Sequence, residues 1–414
     1  MKVFRALIPF LFIAPLIYLM NAYSLAGIRP LINRIESATL QQVLIGLYWL
    51  IPYLSLFFTV VGLRNMQKNH GLGYWGNLGF NSLITLFFTQ LSIIGIVVLG
   101  DFVRLFEGLY FWVENKQFVL PERNFMTAIF AVLISTLPFG FFVYGIVKGK
   151  YKYKVHKHVL SFSDLPEAFD GFKISQISDI HSGSLDNEKA VSLGIDLINE
   201  LKSDLFLFTG DLVNNDAEEF IPWKTLFSKI KAPFGQFSVL GNHDYGDYKQ
   251  WPSEHAKQKN RQDIINHHES VGFKLMQDEH VEIEKDGQKI SLIGVQNWGH
   301  GFIQAGDLTK ALYGINKDSF KILLSHDPTH FEHEVKNHET KIHLTLAGHT
   351  HGMQMGIELP WFKWSPVKLR YKRWAGIYQE NGRFLNINRG FGFLGFSGRV
   401  GIWPEISLIE LRRA

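Results

Sequence analysis

The stretch Gly241-Asn242-His243-Asp244 decides how this sequence folds and where its chemistry lies. A strand-like run, Gly235-Gln236-Phe237-Ser238-Val239-Leu240, precedes it, so four small or polar residues stand at the end of a strand. Asn offers a neutral oxygen ligand, His a proton near neutral pH, and Asp a carboxylate that can hold the His. Taken alone, the stretch is more typical of a turn than of a catalytic site, because Gly, Asn and Asp are the commonest turn residues. The other strand ends of the chain decide between these readings.

Four further strand-like runs end in polar residues of the same kind. The residues are Asp179-Ile180-His181, Gly210-Asp211, Ser325-His326-Asp327 and Gly348-His349-Thr350-His351. Each of these ends presents at least one group that binds hard or borderline metal ions. Five such ends in one region indicate a metal-dependent catalytic site, because polar clusters of this type seldom converge without a function.

The region that carries these ends alternates short apolar runs with segments of helical spacing. The predicted strands are Lys173 to Ser178, Leu205 to Phe208, Gln236 to Leu240, Ser291 to Val295, Lys321 to Leu324 and Lys341 to Leu346. The stretches from Asn187 to Leu201 and from Gln262 to Val271 have helical spacing, and the final part from Arg373 to Leu411 is strand-like. This alternation predicts an α/β layered domain whose functional groups gather at strand ends.

The first half of the chain predicts a membrane region. Four runs without Asp, Glu, Lys or Arg approach the roughly 20 apolar residues that cross a bilayer. They are about Leu7 to Leu25, Val43 to Leu63, Leu78 to Leu99 and Phe125 to Val147. A cleavable signal peptide is the alternative for the first run, but three more runs follow and no Ala-x-Ala-like site closes it. The absence of charges inside the runs favours an anchor over a transporter.

Charge is distributed unevenly between the two halves. Residues 1–158 carry a net charge of +9, so the remainder carries −5. With four spans, the amino terminus and the segment after Lys148 lie on the same side of the membrane. Nine basic residues of the loops, Lys68 among them, fall on that side, and five fall on the opposite side. Because cytoplasmic loops carry the excess of Lys and Arg, this difference predicts that the second half of the chain is cytoplasmic. The positive charges flank apolar runs and form no continuous patch, so no nucleic-acid partner is expected. The chain has no cysteine, which excludes disulfides, thiolate metal sites and a Cys nucleophile.

In their order and spacing, the five blocks resemble the calcineurin-like metallophosphoesterase superfamily, whose pattern is D-x-H, GD, GNHD or GNHE, H and GHxH. The resemblance extends from about Phe172 to Leu411. Asn388-Arg389-Gly390 and Pro404-Glu405-Ile406 are similar to the membrane-associated branch of that superfamily, some members of which act on lipid-linked phosphodiesters. The resemblance implies a four-layer αββα sandwich.

The resemblance also implies a division of the metal ligands. One metal would be bound by Asp179, His181 and His351, and a second by Asn242, His326 and His349, with Asp211 bridging them. A two-metal site needs at least one shared carboxylate. Carboxylate, carboxamide and imidazole ligands suit Mn, Fe, Zn or Mg and discriminate poorly among them. Two divalent ions of undetermined identity are therefore expected.

Further roles follow from the same resemblance. His243 would protonate or stabilise the leaving group, and Asp244 would fix the tautomer of His243. Arg389 and Arg399, in Gly-rich turns, are candidates for holding a substrate phosphate. Many relatives carry an Asp where this chain has Asn297, which leaves the role of that position open.

A basic, aromatic stretch from Pro360 to Trp374 directly follows the last ligand block. It fits either a solvated loop with a few packed rings or an element at the membrane surface, since Trp and Tyr favour the headgroup zone and Lys and Arg favour anionic lipid.

Together these features predict a transmembrane region over residues 1–149 and a phosphoesterase domain over residues 150–414. The expected activity is two-metal hydrolysis of a phosphodiester, pyrophosphate or phosphomonoester, with a lipid-linked substrate favoured. The alternative is a non-enzymatic membrane scaffold that uses the phosphoesterase fold as a binding surface.

Overall fold

The computed structural model describes residues 2–65 and 71–414. The chain divides into two compact units, Met1–Tyr144 and Gly145–Ala414. The helices are α1 Lys2–Ile32, α2 Ala38–Asn65, α3 Gly73–Asn115, α4 Phe125–Val147, α5 Glu188–Glu200, α6 Lys224–Phe227, α7 Glu254–Ser270, α8 Leu308–Leu312 and α9 Thr329–His333. The strands are β1 Lys154–Phe162, β2 Lys173–Ile177, β3 Leu205–Phe208, β4 Gln236–Ser238, β5 Lys274–Leu275, β6 Glu279–Lys285, β7 Gln288–Gly294, β8 Phe320–Leu324, β9 Leu344–Ala347, β10 Ile357–Leu359, β11 Phe362–Trp364, β12 Gly376–Glu380, β13 Arg383–Ile387 and β14 Glu405–Arg413.

Four of these helices are long and apolar enough to cross a membrane. The spans are Phe12–Ile32, Ala38–Arg64, Gly73–Asn115 and Phe125–Val147. They confirm the four predicted membrane helices, although the third is much longer than the predicted run from Leu78 to Leu99. Lys68, which entered the prediction of membrane orientation, lies outside the described residues.

Small residues let α2 and α3 approach closely. A Cβ on Gly62 would lie 2.5 Å from the Cα of Gly76, and one on Gly79 would lie 2.6 Å from the carbonyl oxygen of Ser55. Such contacts are a usual way for membrane helices to pack, because lipid provides no hydrophobic drive for association.

An ionic cluster lies in α3 beyond its predicted run. Asp101 pairs with Arg104 and with Arg123 at 2.6 Å each, and it accepts a hydrogen bond from the Tyr23 hydroxyl at 2.8 Å. The expectation that the membrane helices lack ionisable residues therefore holds only for the shorter predicted runs.

Two six-stranded mixed sheets form the second unit. The first has the strand order β1-β14-β2-β3-β4-β5, and the second has β12-β13-β9-β8-β7-β6. Strands β2, β3, β4 and β5 are mutually parallel, as are β13, β9, β8 and β7. Parallel neighbours end at one edge of a sheet, so residues that follow them are brought together.

The apolar faces of the two sheets pack against each other. This inner core includes Leu207 and Ile409 of the first sheet and Ile322 and Leu346 of the second. A second core joins the first sheet to α5 and the segments around α6 and α7, and a third joins the other sheet to α8 and α9. The result is the predicted layered α/β sandwich with two mixed sheets.

Some helices and strands begin at other residues than the sequence predicts, because contacts with other parts of the chain determine where they begin. The segment that begins at Lys154 forms a strand because it pairs in parallel with β14 near the end of the chain. Strand β9 begins at Leu344 instead of Lys341, and α7 begins at Glu254, eight residues before the predicted helix, because the Ser253 side chain accepts a hydrogen bond from Ala256 N and caps it.

The inner core yields a stability prediction. Leu207→Ala removes a fully buried side chain between the sheets and should cost about 2–5 kcal/mol, seen as a clear fall in the thermal midpoint of the detergent-purified protein. The matched change Leu193→Ala removes an exposed leucine of α5 and should leave the midpoint nearly unchanged. Equal midpoints for the two variants would contradict the assignment of this core.

Candidate metal centre

All five polar strand ends meet at one edge of the sandwich. Asp179 and His181 follow β2, Asp211 follows β3, and Asn242 follows β4. From the second sheet come His326 after β8, and His349 and His351 after β9. The backbone joins neighbouring ends directly, since Asp179 N donates to Gly210 O at 2.9 Å and Gly348 N donates to His326 O at 2.8 Å.

The first group of ligand atoms belongs to Asp179, His181 and His351. One ligand atom from each lies within 4.8 Å of the others, and all three residues are buried. The Nε2 atoms of His181 and His351 are 3.0 Å apart, and His351 Nε2 lies 3.2 Å from Asp179 Oδ1. Two imidazole nitrogens and a carboxylate therefore converge on one point.

The second group belongs to Asp211, His326 and His349, again within 4.8 Å. His349 Nδ1 lies 2.8 Å from Asn242 Oδ1, which adds an amide oxygen to this group. Asp211 Oδ2 lies 3.2 Å from His326 Nε2 and 3.5 Å from His181 Nε2. The carboxylate of Asp211 thus lies between the two groups, and the division of these residues between two metal ions stays a prediction.

The backbone at these ends is strained. Five ligand-bearing residues adopt positive φ angles between 45° and 68°: Asp179, His181, Asp211, His349 and His351. This left-handed region is uncommon for residues with a side chain and costs about 1–3 kcal/mol each when the surrounding structure enforces it. The strain turns successive side chains inward, and strand patterning in the sequence gives no sign of it.

Glycines make room for the carboxylates. A Cβ on Gly241 would lie 2.2 Å from Asp211 Oδ1, and a Cβ on Gly348 would lie 2.3 Å from Asp179 Oδ2. The space beside each carboxylate is therefore available only because these positions have no side chain.

Asp244 does not contact the His243 ring in the way the sequence predicts. Its carboxylate accepts hydrogen bonds from the backbone amides of Gly241, Asp211 and Leu212 at 2.9, 3.0 and 2.8 Å. Burial, together with the charge of Asp211, raises the pKa of Asp244 to about 7. Asp244 therefore ties the β3 end to the β4 end, because its carboxylate is the acceptor for both turns.

The tautomer of His243 is set by a different group. The Asn214 carbonyl oxygen lies 2.7 Å from His243 Nδ1, which makes Nδ1 the protonated nitrogen because a carbonyl only accepts. The His243 amide donates to Asp211 Oδ1 at 2.9 Å. Sequence reasoning could not find the Asn214 contact, because a backbone carbonyl carries no residue-specific signal.

The ligand set suits divalent cations. His326 Nδ1 donates to the Thr209 carbonyl oxygen at 2.6 Å, so its buried Nε2 is the nitrogen that faces Asp211 Oδ2, at 3.2 Å. Burial lowers the pKa of His326, but Asp211 outweighs it and raises that pKa to about 10, so the local potential favours positive charge. Nitrogen and oxygen donors in these groups fit Mn, Fe, Zn or Mg.

Two side chains that the sequence analysis does not name as ligands, those of Tyr371 and Asp327, contact the ligand His349. His349 Nε2 lies 2.8 Å from the Tyr371 hydroxyl and 3.4 Å from Asp327 Oδ2, a buried oxygen without another partner. A carboxylate behind a metal-binding imidazole fixes the orientation of its ring.

A cavity of about 360 Å³ opens over the ligands. His243 lies in its wall beside the metal groups, and Phe302, Val367, Arg370 and Tyr371 line it as well. The guanidinium carbon of Arg370 lies 4.9 Å from the centre of the Phe302 ring. The cavity therefore combines the ligand groups with one exposed cation at its mouth.

Arg389 and Arg399, the predicted phosphate contacts, do not line this cavity. Arg389 is buried against Glu405 and Glu358, and Arg399 is fully buried and donates to the carbonyl oxygens of Arg389 and Gly392. Because both guanidinium groups are held by the protein itself, their role as substrate contacts stays a prediction without support from this geometry.

Comparison with known proteins assigns the family. The profile described as "Probable Calcineurin-like phosphoesterase, transmembrane domain" matches residues 4–150, and the profile "Calcineurin-like phosphoesterase" matches residues 172–353. An uncharacterized metallophosphoesterase of Bacillus subtilis, YkuE, is 30% identical over 307 residues, which is 71% of this chain and 98% of the relative. The chain belongs to the calcineurin-like metallophosphoesterases.

Two further calcineurin-like relatives extend over much of the chain. A transmembrane protein with a metallophosphoesterase domain from Danio rerio is 25% identical over 73% of this chain and 66% of its own length. An uncharacterized metallophosphoesterase of Helicobacter pylori J99 is 25% identical over 85% of each chain. The match of the transmembrane profile together with the four spans identifies this metallophosphoesterase as an integral membrane protein.

The metallophosphoesterase site yields a steric prediction. Gly241→Ala places a methyl group against the Asp211 carboxylate and should lower the metal content of the purified protein, measured by plasma mass spectrometry. Gly46→Ala is the matched control, because no atom lies within 4 Å of the position its Cβ would take. Full metal content in Gly241→Ala would contradict the placement of Asp211 beside this glycine.

Proposed function

We propose that this protein is a dinuclear metal-dependent phosphoester hydrolase. The observation that carries the proposal is the Asp211 carboxylate, whose Oδ2 lies between His181 of one ligand group and His326 of the other. A shared carboxylate is what a pair of closely spaced metal ions requires. Family membership supports the same reaction class.

The ligands divide into two sets that share one residue. Asp179, His181 and His351 would hold one ion, and Asn242, His326 and His349 the other, with Asp211 common to both. When bound, such ions polarise a phosphoryl oxygen and lower the pKa of water.

His243 is the proposed proton donor to the leaving group. Its Nδ1 proton is held by the Asn214 carbonyl, so Nε2 is the nitrogen left to exchange a proton in the cavity. A positioned imidazole can donate that proton near neutral pH.

Arg370 is the proposed contact for a substrate phosphate, in place of the buried Arg389 and Arg399. It lines the cavity mouth, and Phe302 and Tyr371 flank its guanidinium group at 4.9 and 5.5 Å. Flanking rings reduce the freedom of the arginine side chain and leave its donors available to phosphate oxygens.

We propose that the domains act together, with residues 1–149 as the membrane anchor and residues 150–414 as the hydrolase on the cytoplasmic side. The excess of basic residues next to Arg64 and Lys148 supports this orientation. An anchored hydrolase meets membrane-borne phosphoesters at high local concentration, so a lipid-linked phosphodiester or pyrophosphate is the favoured substrate class.

Two substitutions separate proton transfer from metal binding. His243→Ala should reduce turnover of a generic phosphodiester by roughly 100- to 10,000-fold while the metal content stays unchanged. Asp211→Ala should lose both metals and activity, since it removes the shared ligand. His255→Ala, an exposed histidine of α7, is the control and should match the wild type. Wild-type turnover in purified Asp211→Ala would sink the mechanism.

The mouth of the cavity gives a third test. Arg370→Ala should lower kcat/KM by about 10- to 100-fold through a higher KM, because a charged hydrogen bond to phosphate is worth about 1.5–3 kcal/mol. Lys368→Ala, an exposed cation of the same turn outside the cavity lining, should change neither constant. Equal effects of the two variants would show that only general charge matters.

The substrate class is tested with the full chain in mixed micelles. Lipid-linked nucleotide pyrophosphates and water-soluble phosphodiesters are compared at equal phosphate concentration. Faster hydrolysis of the lipid-linked compounds supports the proposal, whereas hydrolysis of soluble esters alone rejects a lipid-linked substrate. A purified protein without metals and without turnover would favour the scaffold alternative.

A further inference from the structure

The hairpin of β10 and β11 is an amphipathic ribbon. Cross-strand pairing of Ile357 with Trp364 and of Leu359 with Phe362 places four large apolar side chains on one face, and all four are exposed. Trp361, in the turn, is 81% exposed. A hairpin in a soluble domain normally turns such a face toward the core.

The opposite face of this hairpin is bound to the domain. Glu358 pairs with Arg389, and Lys363 donates to the Ala375 carbonyl oxygen. The hairpin is therefore held with its polar face inward and its apolar face outward, so the exposure of the apolar face is built into its contacts.

Leu369, five residues after Trp364 in the next turn, is also 88% exposed. We name this surface the apolar ribbon, made of Ile357, Leu359, Trp361, Phe362, Trp364 and Leu369. Leaving six large apolar side chains in water is unfavourable, so such a set marks an interaction surface.

The base of the ribbon adjoins the last turn of membrane helix α4. Gly145 O of α4 accepts a hydrogen bond from Arg399 N at 3.2 Å, and a Cβ on Gly149 would lie 2.7 Å from the Trp403 ring. Val400, next to Arg399, pairs with Met355, two residues before β10. The segment from Arg399 to Trp403 therefore contacts both the end of α4 and the residue two positions before β10.

The side chains around the ribbon suit the headgroup layer. Lys152 lies 4.8 Å from the centre of the Trp403 ring. A cavity of about 640 Å³ beside the hairpin is lined by Lys154, Trp361, Lys363 and Trp403, among others. Tryptophan prefers the interface between hydrocarbon and water, and Lys side chains are attracted to an anionic lipid surface.

We propose that the apolar ribbon dips into the headgroup layer of the same bilayer that holds α1 to α4. Its continuity with the end of α4 favours this lipid surface over a second copy of the chain or a soluble partner, since the bilayer already lies at that point. The Trp and Lys composition is that of membrane-interface segments.

This placement has a consequence for the metal cavity, which rests on the proposed function. The turn from Pro366 to Leu369 belongs to both surfaces, because Pro366 and Val367 line the metal cavity and Leu369 belongs to the ribbon. The cavity mouth then opens at the lipid surface, and an amphiphilic phosphoester reaches the metal ligands with its apolar part still in the bilayer.

Site-specific labelling tests the docking, because the chain has no cysteine of its own. Trp361→Cys and Leu369→Cys are made in the full-length protein, labelled with a polarity-sensitive fluorophore and reconstituted into liposomes that contain anionic lipid. Leu193→Cys, at an exposed leucine of α5, is the matched control. Quenching is measured with lipids that carry a nitroxide near the headgroup and with aqueous iodide.

The docking predicts that labels on the ribbon are quenched several-fold more by the nitroxide lipids than the control label and are shielded from iodide. Iodide access equal to that of the control would overturn it. Shielding from iodide without quenching by lipid would also overturn it, since a protein surface would then cover the ribbon. The readout needs no turnover, so an inactive protein would reject the proposed function and leave the docking result intact.

Discussion

The rest of this site depends on two buried carboxylates, Asp179 and Asp211. A negative charge that is removed from water is stable only with a positive partner close by. The fold holds them at adjacent strand ends of one sheet, and the second sheet contributes His326, His349 and His351 from the facing edge. The inner apolar core fixes the distance between these edges. The position of the candidate metal ligands therefore depends on how the two sheets pack.

The ligand residues adopt backbone conformations that are unfavourable for residues with a side chain. Positive φ angles at five ligand residues are unfavourable, and the backbone bonds between strand ends hold them in place. Asp244 contributes by accepting amides from both the β3 and the β4 turns, which is a structural role at the centre of the site. These hydrogen bonds position the strand ends that carry the ligands, which is what catalysis by positioned groups would require.

The sequence predicted the membrane spans, the layered fold and the strand ends well, since apolar run length and strand periodicity are local properties. Contacts between segments that are distant in the sequence could not be predicted from it. The Asn214 carbonyl behind His243 carries no residue-specific signal, and Arg370 stands in a turn whose relation to Phe302 appears only in three dimensions. Helix α3 is longer than the predicted run because the run includes only uncharged residues, whereas in the structure the helix continues through Asp101, which pairs with Arg104 and Arg123. The sequence shows no hairpin between Ile357 and Trp364, because strands β10 and β11 are only three residues long and have no clear periodicity.

The shared position of Asp211 is the central claim, and the magnetic coupling between two bound ions tests it most directly. The full-length protein, purified without metal and loaded with Mn²⁺, is examined by electron paramagnetic resonance together with metal content. Two ions per chain with an exchange-coupled spectrum are the predicted result, because a bridging carboxylate brings the ions within a few ångströms, about 3.5–4 Å in sites of this kind. An active protein with one ion per chain, or with two ions that show no coupling, would contradict it.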